Sequence, residues 1–164
     1  METEKLTSKE YFRYNEIIHF AFITILIILG VFFTYALKFG TDHVDPAMNI
    51  GFMYVMPVLA VVSLIACKLL FKQRLKECNA EMNFKVKLLL YRSALIQRFA
   101  INEGVAFSAV AAYFLTARLE YLAVSALFLI ILLSFKPSRE KLVEHLDLTP
   151  EEKNFVNDPT AEIV

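Results

Sequence analysis

Four stretches of this 164-residue chain are apolar almost without interruption, at residues 17–37, 50–71, 99–116 and 119–135. A helix of about 20 residues spans a bilayer core of ~30 Å. The four blocks hold 17 to 22 residues each, so their lengths match that requirement. None alternates with the period of two that a barrel strand needs. Each is apolar nearly all round, the pattern of a helix in lipid; a soluble bundle would carry four polar outer faces, which this chain lacks. The first block is too long for a signal-peptide core, and no small-residue cleavage site follows it. Residues 38–42 read instead as a turn, and the block reads as a retained span.

Composition agrees. Hydrophobic residues make up 57% of the chain, and mean hydropathy is +0.52. Soluble domains usually stay near ~45–50%. Seventeen Lys and Arg balance 17 Asp and Glu, so the broad basic field of a nucleic-acid binder is missing. The basic residues are nevertheless placed unequally. Lys5, Lys9 and Arg13 precede the first block. Lys68, Lys72, Arg74, Lys76, Lys85, Lys87, Arg92 and Arg98 lie at or between the second and third, and Lys136, Arg139, Lys141 and Lys153 follow the fourth. Only Lys38 and Arg118 are left for the other two connections. Basic flanks mark the cytoplasmic side. The expected protein is therefore multi-pass in a bacterial inner (plasma) membrane, with both termini cytoplasmic and with the connections near 42–49 and 117–119 facing outward. Tyr11, Phe12, Tyr14, Tyr91 and Tyr121 supply an interfacial aromatic belt in a chain without Trp. Cys67 and Cys78 fall in no metal or redox motif and are expected to stay reduced, and no cofactor is expected.

Outside the blocks, residues 72–98 contain neither Gly nor Pro. Val86, Leu89, Leu90 and Ala94 recur at spacings of three and four, which predicts an amphipathic helix running unbroken into the third span. After the fourth block Pro137 stops the helix, and Ser138 is placed to cap a new one with Leu142, Val143, Leu146 and Leu148 on its apolar side. Thr149, Pro150 and Glu152 match a capping box with proline at the first helical position. Phe155 and Val156 are placed to fold that helix back, and the chain beyond Asn157 reads as frayed. The domain division is thus residues 1–136 for the membrane part and 137–164 for a cytoplasmic helical tail.

The third block carries the one constellation worth following. Ala100, Gly104, Ser108, Ala112 and Thr116 are spaced by four and form a small-residue stripe, which lets membrane helices approach closely. Ala123 and Ala126 of the fourth span are expected to face it. Glu103 and Asn102 lie about one turn inside the same block. The threading puts them level with His19 of the first span and Lys68 of the second, in one polar layer. An ionisable group inside a span is costly and marks structure or function. Three roles remain open: a clamp pairing Glu103 with Lys68 or His19, a proton or ion path through Glu103 and His19, and a contact for another membrane subunit. No phosphate loop, nucleophile elbow or zinc-protease motif occurs. His43 with Asp45, and His145 with Asp147, read as chance pairs on solvated surface. No enzyme is expected.

The stretch ALIQRFAINEGVAFSAVAAYFLT, followed by LEYLAVSALFLIILLSFKPSREKLVEHLDL, resembles a group of small, uncharacterised four-span bacterial membrane proteins. In that group an Ala-Leu-Ile…Glu-Gly third helix precedes a fourth that ends in Lys/Arg-Pro-Ser/Thr. Glu103, Gly104, Pro137 and Ser138 are the matching positions, within residues 94–148, and residues 17–20 agree more loosely. The resemblance implies a fold and a location, and no activity. Helical hairpins with an intramembrane carboxylate are also similar to the rotor-ring proteolipids of rotary ATPases. The chain departs from these, since it has only four glycines and Glu103 sits near one end of its span. The expectation is an all-α membrane protein of four transmembrane helices in two hairpins, a four-helix bundle with a helical extension before the third span. Its expected role is a non-catalytic component packing against the lipid bilayer and against a membrane-protein partner or a second copy. The alternative is a small transporter or ion-conducting protein using Glu103.

Overall fold

The structure, a computed structural model, describes residues 7–40, 45 and 47–161. Among these the chain forms six helices: α1 (Ser8–Phe39), α2 (Met48–Ala80), α3 (Phe84–Thr116), α4 (Leu119–Ser134), α5 (Arg139–His145) and α6 (Pro150–Asn157). α1, α2 and α3 are long and apolar enough to cross a membrane. α4 passes that test only together with α5, so the count is three or four. At 32 and 33 residues the first three are about 50 Å long, well beyond a ~30 Å hydrocarbon core.

The chain forms two compact units. The first is made of the chain up to Phe20, Leu69–Gln97 and the chain from Lys136. The second is made of Ala21–Lys68 and Arg98–Phe135, and it contains the bulk of the apolar blocks. α1, α2 and α3 each contribute to both.

In the second unit α3 is the packing centre. Half of its apolar window is buried, against 17% for α1 and α2. Val105, Ala106, Ala109, Val110 and Tyr113 of α3 meet Leu26 of α1, Met56 of α2, and Tyr121 and Phe128 of α4. Small residues at 106, 109 and 112 let the neighbours approach closely. At one end the Tyr121 hydroxyl donates to Asn49 Oδ1 at 2.8 Å, joining α4 to α2. Asp45 N donates to the Leu115 carbonyl at 3.0 Å, one of the groups that the end of α3 leaves open. The α3–α4 turn passes through Ala117 at φ +54, the left-handed region, with its N–H on Tyr113 O at 2.8 Å. His43 lies outside the described residues.

Caps define the first unit. Ser138 accepts from Lys141 N and starts α5; Thr149 and Glu152 form the expected capping box, with Pro150 opening α6. Leu142, Leu146, Leu148 and Val156 are buried, and Phe155 packs edge-on against Phe84 at 5.1 Å. Three expectations need correction. The helix predicted across 72–98 is broken at 81–83. Asn83 turns its Oδ1 to Val86 N at 3.1 Å and caps α3, a local bond that competes with helix continuation. Along α3 the buried face is Lys87, Leu88, Tyr91, Ala94 and Leu95, whereas Val86 and Leu89 are exposed. Residues 158–161 are held rather than frayed. Ser8 N donates to Ala161 O at 3.0 Å and Lys9 N to Pro159 O at 3.2 Å, so the tail satisfies N–H groups that a helix start leaves open. α1 itself begins with a capping box: Thr7 N donates to Glu10 Oε2 at 2.9 Å and Glu10 N to Thr7 Oγ1 at 3.3 Å. The Thr7 backbone and hydroxyl donors hold the Glu10 carboxyl below its usual range.

Candidate functional site

Of the four residues expected in one polar layer, three lie in the second unit and His19 lies in the first, where it is buried. Asn102 is buried on α3. Its Nδ2 donates to Cys67 Sγ of α2 at 3.2 Å and to the Arg98 carbonyl one turn back at 2.8 Å. Its Oδ1 has no partner among the described residues. Lys68 and Glu103 are the sequence neighbours of this bonded pair, yet they do not meet. Lys68 is exposed, Glu103 is half-buried, and neither forms a hydrogen bond or ion pair among the described residues. The pairing expected of a Glu103–Lys68 clamp is therefore not formed within the chain. The acid near the end of this span is held by helix geometry alone.

The small-residue stripe divides. Ala112 and Thr116 are buried, Ser108 is half-buried, and Ala100 and Gly104 are exposed. A Cβ placed on Gly104 would meet no atom within 4 Å. Ala123 and Ala126 are exposed and do not cover it. The reason is rotational. The core takes the neighbouring α3 positions 105, 106, 109 and 113, which leaves the 100–104 end of the stripe outside it.

Clefts of the second unit include two that α4 helps to form. One, of about 410 Å³, runs between α1 and α4 and is lined by Leu26, Gly30, Thr34 and Ser125, with Lys38 at one end. The other, of about 390 Å³, lies between α2 and α4 beside Met53, Pro57, Arg118 and Tyr121. Pro57 cannot donate a helix hydrogen bond, which frees a carbonyl one turn back along this wall. Glu103 lines neither cleft.

The densest polar chemistry is in the first unit, at residues the sequence reading passed over. Arg92 donates from Nε to Asn15 Oδ1 at 2.9 Å and lies over the Tyr11 ring at 4.8 Å. The Tyr11 hydroxyl donates to Leu88 O at 2.8 Å. Lys87, only 5% exposed, reaches Glu152 Oε1 and the Asp147 carbonyl, both at 3.3 Å. His145, expected on a solvated face, is half-buried. Its Nδ1 shares a hydrogen bond with the Tyr91 hydroxyl at 3.0 Å, and its ring packs edge-on against Phe71. Asn79 takes the His145 carbonyl and the Asp147 N–H. Burial pushes the Cys78 thiol and the Tyr11 phenol up from their ordinary values. These contacts join helix to helix, while Asn15 Nδ2 and Arg92 Nη2 are buried without a hydrogen-bond partner among the described residues. No cluster of three or more His, Cys, Asp or Glu suited to a metal occurs among the described residues. The one signal in the sequence was the placement of Lys87 and Arg92 among apolar residues, where charge needs a partner.

No protein-family model, curated protein or solved structure matches this chain. The molecule is thus defined by its own geometry as an all-helical protein with three or four helices fit to cross a membrane. The resemblance read at Glu103–Gly104 and Pro137–Ser138 rests on those residues alone.

Proposed function

We propose that this chain is a four-span protein of the bacterial inner membrane, with both termini cytoplasmic, acting without catalysis as a component of a membrane assembly. Its α3 presents Ala100, Glu103 and Gly104 to a helix of a partner or of a second copy. The observation that carries this reading is the unpaired Glu103 carboxylate beside an open glycine. A carboxylate at the centre of a membrane helix costs roughly 2.5–3.5 kcal/mol, and less near an end. A facing helix that brings a donor or a cation offsets that cost, and Gly104 with Ala100 allows it to come close.

The test is a photo-reactive amino acid installed at Gly104 in native membranes, with exposed Val61 of α2 as the control site. A discrete protein cross-link from position 104, absent from position 61, is expected. Lipid adducts alone at both positions would overturn the reading. The second reading, a small transporter or ion conductor, draws on the same carboxylate, because a titrating group on a path must not be locked in a permanent ion pair.

A further inference from the structure

The first unit holds a cleft of about 640 Å³ between the start of α1 and the segment that follows α4. Its charged lining is Lys9, Arg13, Lys136 and Arg139 against Glu16 and Glu140. These charges are not used equally. Lys136 Nζ lies 3.4 Å from Glu16 Oε1, and Arg139 donates to Asn157 O at 3.0 Å while lying over the Phe12 ring at 5.3 Å. Lys9 and Arg13 hold no acid among the described residues. They are one helical turn apart on α1, where like charges repel and weaken the helix. Of the two acids on this stretch of α1, Glu10 accepts from Thr7 and Glu16 is taken by Lys136. Among the described residues Lys9 and Arg13 are therefore without an ion-pair partner, in a cleft where four cations stand against two acids.

Both walls continue into apolar segments. Residue 17 opens the first apolar block immediately after Glu16, and Lys136 follows the end of α4 by two residues. On the membrane reading above, on which this inference rests, those walls stand at headgroup depth of the inner leaflet. We propose that the cleft is a binding site for an anionic glycerophospholipid, whose phosphate is held by Lys9 and Arg13. Arg139, fixed over Phe12, borders the headgroup and presents its remaining N–H donors. Basic pockets at the cytoplasmic ends of spans are suited to such headgroups.

The experiment uses the full chain purified in a zwitterionic detergent and titrated with phosphatidylglycerol or phosphatidylcholine, with bound lipid counted by native mass spectrometry. Phosphatidylglycerol is expected to bind in preference. The double variant Lys9→Gln/Arg13→Gln is expected to weaken it about thirtyfold, from the usual contribution of two basic residues at a lipid surface. Lys72→Gln/Lys76→Gln, which removes two exposed cations near another apolar block but outside the cleft, leaves binding unchanged. Equal retention of both lipids, or equal loss in the two double variants, would overturn the site. So would displacement of the lipid by inorganic phosphate, which would mark a site for a free anion. Protein found in the soluble fraction of lysed cells would overturn the membrane reading as well. A membrane-bound protein without phosphatidylglycerol preference would overturn the site alone.

Discussion

Lys87 Nζ of α3 sits 3.3 Å from Glu152 Oε1 of α6, with both side chains nearly closed off from solvent, at 6% and 12% exposed. The same carboxylate also accepts from Thr149 N at 2.8 Å, so one glutamate closes the capping box of α6 and neutralises a buried ammonium on another helix. Removing the charge at either end has different consequences. Glu152→Gln leaves Lys87 charged with neutral acceptors only, and is expected to cost about 3 kcal/mol, the usual penalty for an uncompensated buried ion. Lys87→Met is expected to cost less, because Glu152 keeps its cap and has some access to water. Thermal unfolding followed by circular dichroism in detergent checks the ordering, and equal losses would contradict it.

Ala117 adopts a left-handed conformation with φ +54, which strains any residue bearing a Cβ by roughly 1–2 kcal/mol. Ala117→Gly is expected to stabilise the α3–α4 turn by about 1 kcal/mol. Ala117→Val is expected to destabilise it. Unfolding in mixed micelles at increasing fractions of ionic detergent reads both changes.

Stability should fall in alkali. Burial raises the Cys78 thiol and the Tyr11 phenol above their ordinary values of 9.0 and 10.0. For each, the folded value is the higher. The stabilisation is therefore whole below the ordinary value and is lost as pH rises past it and through the folded value. Melting temperature at about pH 10.5 is expected to lie below that at about pH 7.5, and Cys78→Ala should flatten part of the difference. A profile rising with pH would be inconsistent with these burial effects. Below the alkaline range Cys78 is expected to resist alkylation until the first unit unfolds.

Glu103→Gln separates the two functional readings. If the chain conducts, proton or sodium flux into vesicles holding wild-type protein should exceed background and should fall in the variant. Background flux in both removes the conduction reading. If α3 docks a partner helix, flux is absent from both, and the cross-link from position 104 weakens when the carboxylate is neutralised.

That the chain forms helices long and apolar enough to cross a membrane was legible, because this depends only on the length and greasiness of its blocks. α1 through α4 fall where those blocks lie, and Ser138 and Thr149 announced the tail helices through side chains that bond within three residues. The Thr7–Glu10 box has the same spacing and was equally readable, yet it was passed over. Rotation was not legible. A block that is apolar all round has no preferred face, so nothing in residues 99–116 tells that Val105 and Ala109 are inside while Gly104 is outside. The buried face at Lys87, Leu88 and Tyr91 was hidden for a different reason: its partners come from α5, α6 and the start of α1, more than 50 residues away in either direction. The candidate site shared that fate. Asn102 and Glu103 stood out by composition, but whether Lys68 would meet Glu103 depended on two helix rotations that no spacing encodes.

The backbone bonds from Ser8 and Lys9 to Ala161 and Pro159 give the protein a built-in order of maturation. The first turn of α1 precedes the carbonyls that seal it by some 150 residues of chain. The apolar blocks are therefore complete before the first unit can close, since that unit has to wait for residues 156–161.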